Sequence, residues 1–458
     1  MFDSKEIQRR RDMRDVLTFT IDPADAKDFD DALSFERIDG GFFRIGVHIA
    51  DVTWYVRAGE DTDIEAYRRG TSVYLVDRVI PMLPEELCND RCSLRPGEDK
   101  LCMSVIFTVS PDAVVSKFKI CRTVIRSDFR LSYAQAQDII DGVDTGSCDP
   151  GLADALVQLN GLAGILRRHR MEAGALELEN DEVKFLLDGS GHPVSLTIVH
   201  PAASNRLIEE FMLLANRTVA EQLGRTGKTS VWRVHDRPDT EKLEGIERFK
   251  KSRGDSLRPE ALYMLTVRAM AKAVYSTRNI GHYGLAFTHY THFTSPIRRY
   301  PDMMVHRLVS KYILGERHYE MNLDLQEACE HCSDCEQEAV QAERDSLRYM
   351  QALWMKDHMD ETFTGIISCV RDFGIFVTLD GCACDGMVSV RDLCPGWLLD
   401  YDERNFCIRA VRPLRKKGLA ERLGNQTGQC FTLGDPVTVR VVSVDVEQRH
   451  VNLELVQS

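Results

Sequence analysis

Asp22, Asp28, Asp30 and Asp31 are spaced closely enough to act on one another, and with Asp25 they make five aspartates within ten residues. Carboxylates packed this closely repel, and one of them must take up a proton unless a cation neutralises the group. A hard divalent cation does so well: Mg²⁺ takes oxygen ligands and keeps positions open for waters and phosphates. The bland reading of an aspartate-rich turn is a solvated acidic loop, and the flanking residues argue against it. Residues 16–21 read as a short apolar strand and residues 32–38 as a second. Asp39-Gly40-Gly41 reads as a hairpin turn into a third at 42–49. The acidic run therefore lies between strands of a buried sheet, where unpaired carboxylates are costly.

The segment Thr20-Ile21-Asp22-Pro23-Ala24-Asp25-Ala26-Lys27-Asp28-Phe29-Asp30-Asp31-Ala32 resembles the signature of the catalytic domain of the RNase II / RNase R family of 3′→5′ exoribonucleases. Further blocks agree in order and identity: Gly46-Val47-His48-Ile49-Ala50-Asp51-Val52, Arg69-Gly70-Thr71-Ser72-Val73-Tyr74-Leu75, Arg233-Val234-His235 with Pro238, and His289-Tyr290-Thr291-His292-Phe293-Thr294-Ser295-Pro296-Ile297-Arg298-Arg299-Tyr300-Pro301-Asp302. The resemblance runs from about residue 10 to the C-terminus.

It implies a Mg²⁺-dependent enzyme, with Mn²⁺ as an alternative ion. Such an enzyme draws single-stranded RNA 3′ end first into a closed channel and releases nucleoside 5′-monophosphates processively, in RNA turnover. It implies Asp22, Asp28 and Asp31 as metal ligands, directly or through water. Asp30 is the carboxylate most tied to catalysis, holding a second metal or orienting the water. Arg298 resembles the family's catalytic arginine, which stabilises charge growing on the scissile phosphate, while Arg299 is free to form a structural ion pair. Tyr74 matches a tyrosine that stacks on a base near the 3′ end. Tyr133 matches one linked to recognition of RNA over DNA, and Glu343 a residue of the channel. Glu210, ranked ahead of Glu209, matches a carboxylate that accepts from a ribose 2′-hydroxyl, the group that separates RNA from DNA. Neighbouring helix residues face different ways, so only one of the two glutamates can point into the channel. His48, His235, His289, His292 and His306 read as hydrogen-bonded structural residues, since the family chemistry needs no histidine base.

Organisation follows from composition and pattern. A chain of 458 residues suggests more than one domain. The pattern of strands then helices gives the fold class as α+β, and the resemblance implies a large catalytic domain of mixed sheet and helices around a central RNA channel at 16–358, then a small all-β OB-fold barrel at 361–458, with residues 1–15 as a basic leader. Helices are expected at 201–223, 259–278, 300–314 and 324–359. Five β segments, at 363–367, 374–379, 386–390, 436–446 and 450–456, resemble the S1-type OB domain of the same family. There Phe373 and Phe376 are placed to stack bases, at roughly 1–3 kcal/mol each. Arg409, Arg412, Arg415, Lys416, Lys417 and Arg422 form a basic insertion, either a solubilising loop or a phosphate-contacting patch.

The net charge of −13 excludes a basic RNA-coating protein, so RNA affinity must come from a narrow basic track. His331-Cys332-Ser333-Asp334-Cys335 has only one Cys-x-x-Cys pair, with no second pair at zinc spacing, and reads as packing. No apolar run is long enough for a membrane, and residues 1–6 are polar. With fourteen scattered cysteines, these features point to a reduced, cytoplasmic protein. A single chain surrounding its own channel, as the resemblance implies, needs no dimer, so a monomer with no obligate protein partner is expected. The family signature begins at Thr20, where typical members place cold-shock-type domains first, so a minimal form is expected. Two rival readings are a non-catalytic RNA-binding protein that keeps the fold and a metal-dependent hydrolase of small phosphoesters. The complete set of carboxylates with Arg298 argues against the first. The OB-like segments with Tyr74 and Tyr133 argue against the second.

Overall fold

The computed structural model describes residues 4–143, 148–177, 181–254, 258–316, 321, 323–395, 397–413 and 429–456. Its first half is built on a seven-stranded sheet. The strands are β1 (Arg11–Asp12), β2 (Thr18–Asp22), β3 (Asp31–Ile38), β4 (Phe42–Ala50), β5 (Asp99–Val109), β6 (Val115–Arg126) and β7 (Phe129–Ser132). Their order across the sheet is β1-β6-β5-β4-β3-β2-β7. The five central strands are antiparallel to their neighbours, and the two edges, β1 on β6 and β7 on β2, are parallel. The expected turn lies between β3 and β4, where Gly40 and Gly41 hold φ of 78° and 77°, a region closed to most side chains. β4 and β5 are buried along nearly their whole length, so both read as continuous apolar runs.

Helices cover this sheet. The sequence starts them with recognisable caps. Ser132 and Gln135 form a capping box for α1 (Tyr133–Ile140), and Asp149 accepts from the first turn of α2 (Pro150–Glu172). Then come α3 (Ala203–Arg225), α4 (Tyr300–Tyr312) and α5 (Leu325–Lys356), the last capped by Asp324. α4 is a core helix, buried on every face from Tyr300 to Ser310; its Arg307 pairs with Asp63 at 2.6 Å.

From Thr362 the chain forms a closed five-stranded barrel: β8 (Thr362–Arg371), β9 (Gly374–Leu379), β10 (Asp385–Ser389), β11 (Pro436–Asp445) and β12 (His450–Leu455). These are the five segments expected from the sequence, with a three-stranded sheet inserted at Trp397–Asp402, Cys407–Pro413 and Cys430–Thr432. Of the basic insertion, Arg409 pairs with Asp402 at 3.2 Å. Arg415, Lys416, Lys417 and Arg422 lie outside the described residues, as does the side chain of Arg412. The barrel's apolar interior is shared. Helices Thr240–Arg253 and Pro259–Ala269 send Ile246, Phe249, Ala261 and Leu265 into the same cluster as Ile375, Val377 and Val439.

Two expectations are corrected. The helix expected at 259–278 stops at Ala269, and Val274–Ser276 instead pairs with Trp232–Val234. Tertiary partners override helix propensity there: the Tyr275 N–H donates to Ser333 Oγ at 2.9 Å, and the Arg233 guanidinium lies 4.7 Å from the centre of its ring. The basic leader is part of the fold. Ser4–Arg9 is helical, β1 joins the sheet, and the buried Arg10 guanidinium bridges Glu6 at 2.8 Å and Asp51 at 2.7 Å. Burial alone would push the Asp51 carboxyl up, but the Arg122 and Arg10 guanidiniums outweigh it and hold it well below the usual carboxylate range.

Among the described residues no helix is long and apolar enough to cross a membrane. All fourteen cysteines are free thiols. His331 Nε2 donates to the Tyr67 carbonyl at 2.7 Å, and Cys332 is buried in the main core.

Candidate active site

Asp22 ends β2 and Asp31 begins β3, so the loop between these neighbouring strands carries the acidic run back to its own start. The loop is pinned from several sides. Ser93 Oγ donates to the Lys27 carbonyl at 2.7 Å and accepts from the Phe29 N–H at 3.0 Å. Arg130 donates to the Pro23 and Ala24 carbonyls, and the Ala50 N–H donates to the Asp30 carbonyl at 2.9 Å.

Burial dominates the electrostatics. It pushes Asp22 up to about 8, with Asp31 adding to the shift. It pushes Asp31 up to about 6 against the opposing pull of Arg298 and Arg299. Burial likewise raises Asp28 and, well above the usual carboxylate range, Asp30. Asp22 Oδ2 is buried without a hydrogen-bond partner. Such a group cannot carry its full negative charge unaided, which is the condition a divalent cation relieves. Among the described residues no group of three or more His, Cys, Asp or Glu side chains is gathered closely enough to hold a metal ion by itself. The arrangement fits Mg²⁺, which is held by one or two carboxylates and completes its shell with waters and substrate phosphates.

Arg298 reaches this cluster from a second loop. Asp30 Oδ1 accepts from the Ile297 N–H at 2.8 Å, and Asp30 Oδ2 lies 3.6 Å from Arg298 Nε. The Arg298 carbonyl accepts from the Ser72 N–H at 2.9 Å and from Thr71 Oγ1 at 3.1 Å, so its main chain is fixed while its side chain stays 43% exposed. Arg299 has the structural role: its Nη2 donates to Asp302 Oδ1 at 2.8 Å, in the core. That same oxygen accepts from the Ser295 N–H at 2.8 Å. Asp302, in the first turn of α4, thus holds the whole 295–299 loop. Sequence reading passed it over; the available signal was an acidic residue at a helix start directly behind two arginines.

Tyr74 joins the site: its hydroxyl donates to Asp28 Oδ2 at 3.4 Å and its ring is half exposed. Glu343, from α5, accepts from the Tyr74 N–H at 2.9 Å and so positions that tyrosine. Tyr133 opens α1 mostly buried, and burial followed by the nearby Asp31 and Asp22 carboxylates raises its hydroxyl pKa. Phe373 and Phe376 sit apart from these groups, on the barrel. Their rings meet edge to face at 6.0 Å, and Phe373 is 52% exposed.

Glu210 is placed differently from expectation. Its side chain is buried, and both its oxygens are taken by Arg170 of α2, at 2.5 and 3.4 Å. The ion pair and its burial hold Glu210 in the core between α2 and α3. Glu209, one position before it, is half exposed and lines a hollow of about 230 Å³ with Arg167, His235 and His282. Arg170→Met strands a buried charge and is expected to lower stability by about 3–5 kcal/mol, read from the midpoint of urea unfolding. An unchanged midpoint would return Glu210 to the ribose. Of the histidines, His48 is buried between Ser34 and Ser104 and pushed down to about 3 by burial, and His306 donates to the Phe293 carbonyl.

Residues 10–315 match the family model described as the RNB domain. Ribonuclease R of Aquifex aeolicus is 40% identical over 478 residues, spanning 99% of this chain and 66% of that protein. Ribonuclease R of Thermotoga maritima is 36% identical over 483 residues, spanning 99% of this chain and 66% of that protein. The chain therefore spans just under two thirds of the length of these relatives. Among solved structures, Mycoplasma genitalium RNase R in complex with ribose methylated single-stranded RNA superposes with a TM-score of 0.89 at 26% identity, covering 100% of this chain and 73% of that one.

Proposed function

The chain belongs to the RNB-domain family of ribonuclease R proteins, and from that premise we propose that it hydrolyses single-stranded RNA from the 3′ end, processively, with Mg²⁺, releasing nucleoside 5′-monophosphates. The observation that carries this reading is the pairing of Asp30 with the 295–299 loop. One loop brings four carboxylates, the other brings an exposed guanidinium, and the Ile297 N–H bond to Asp30 locks the two together. Single-stranded RNA as substrate is supported by the RNA held in the M. genitalium relative.

In this mechanism Asp22, Asp28 and Asp31 would hold the cation, directly or through water. When bound, Mg²⁺ supplies a nucleophilic water and neutralises the phosphoryl oxygens. Asp30 orients the attacking water or a second cation. Arg298 meets the charge that develops on the phosphate, in a site where burial makes such an interaction strong. Tyr74 stacks on the 3′-terminal base, held by Glu343, and Tyr133 lies beside the ribose. Phe373 and Phe376 stack bases of the incoming strand on the barrel, which acts as an OB-fold RNA-binding domain after a catalytic domain at 16–358. Threading through a channel restricts attack to an end and needs no second subunit, so a cytoplasmic monomer completes the reading.

The test is a time course on 5′-labelled single-stranded RNA, with Mg²⁺ and with EDTA. Full-length RNA should pass to a short end product without a ladder, and only with Mg²⁺. RNA that stays intact but shifts on a native gel would make this a binding protein. Hydrolysis of a nucleotide monoester with RNA untouched would make it a small-phosphoester hydrolase.

A further inference from the structure

A second basic hollow lies at the far edge of the sheet. It has a volume of about 460 Å³ between the Ser4–Arg9 helix, Arg11 of β1, the middle of β6 at residues 119–122, and the short helical turn that follows Asp51. Strand register separates it from the carboxylates. Asp31 pairs with Ile49, Ile49 with Met103 and Met103 with Arg122 on the hollow's wall. Three strand spacings, roughly 14 Å, lie between them.

The charges in the wall do not balance. Arg10 is committed to Glu6 and Asp51, Arg122 to Asp51 and Glu316, and Arg307 to Asp63. These pairs use both wall carboxylates, Glu6 and Glu316. Arg9, Arg11, Arg57 and Lys119 also line the hollow, all exposed, and among the described residues their side chains make no ion pair or hydrogen bond. Four uncommitted cations around one hollow, in a chain of net charge −13, make a local field that draws anions. Guanidinium groups match phosphate oxygens in geometry as well as charge. Trp54 adds an aromatic wall.

We propose that this hollow binds a small phosphorylated ligand of nucleotide size, its phosphates held by Arg9, Arg11, Arg57 and Lys119 and its base against Trp54. The volume decides between a small ligand and a polymer. It falls within the range of about 300–1,000 Å³ of small-molecule sites, with room for one nucleotide and not for a strand. The proposal does not depend on the nuclease reading, because the site shares no residue with it.

The experiment is calorimetric titration of the full chain with ADP and with inorganic phosphate, in EDTA, for the wild type, Arg57→Ala/Lys119→Ala and Arg298→Ala. ADP should bind the wild type and Arg298→Ala alike and bind the double variant about tenfold more weakly or worse. The double variant should keep its thermal midpoint and its rate on RNA. Three results would overturn the proposal. Neither probe binds the wild type; or Arg298→Ala loses ADP while the double variant keeps it, which puts the ligand in the carboxylate site; or the double variant loses single-stranded RNA affinity instead, which makes the hollow part of an RNA track.

Discussion

Asp30→Asn is expected to abolish RNA hydrolysis, lowering the single-turnover rate by about 10³-fold or more, while RNA still shifts on a native gel. The substitution is nearly isosteric, and an asparagine Oδ1 still accepts from the Ile297 N–H, so the two loops stay docked. What changes is the other atom. Oδ2, 3.6 Å from Arg298 Nε, becomes an amide that cannot attract the guanidinium, hold a cation or polarise a water. Asp30 is almost wholly buried, so no solvent ion takes over its charge. A variant that hydrolyses RNA at the wild-type rate would remove Asp30 from the centre of the chemistry.

The second large effect belongs to Arg298→Ala, expected to cost about 10²–10³-fold in rate. Little of that loss comes from misfolding, because the 295–299 loop is held by main-chain bonds from Ser72 and Thr71 and by Asp302. Arg299 cannot substitute, since its guanidinium is buried against Asp302. Arg298→Lys should recover only part of the rate, because an ammonium lacks the planar fork that meets two phosphate oxygens together. If Arg299→Ala destroyed activity with a normal unfolding midpoint while Arg298→Ala did not, the two roles would be exchanged.

The sequence was readable where local pattern and tertiary environment agree. The acidic run between two apolar strands announced both the sheet and the cluster, because β2 and β3 are adjacent in sequence as well as in space. The barrel strands were legible for the same reason, as short alternating segments. Distant partners were not legible. That Glu210 would pair with Arg170 depends on how α2 docks on α3, the two residues lying forty positions apart in the chain. The early end of the helix at Ala269 depends on Ser333 and Arg233, which lie far along the chain. The role of Asp302 emerges only once Ser295 and Arg299 are seen converging on one oxygen.

The shared interior of the barrel bears on modularity. Ile246, Phe249, Ala261 and Leu265 come from helices far upstream of the barrel strands, yet they bury their side chains in its apolar cluster. The barrel is therefore not a bead on a string. A truncation that removes it leaves two helices with bare apolar faces, a surface that favours aggregation. Loss of function after such a deletion would report the fate of those faces as much as the loss of an RNA-binding module. The division of labour between the two halves is better probed by point substitutions at Phe373 and Phe376 than by cutting the chain.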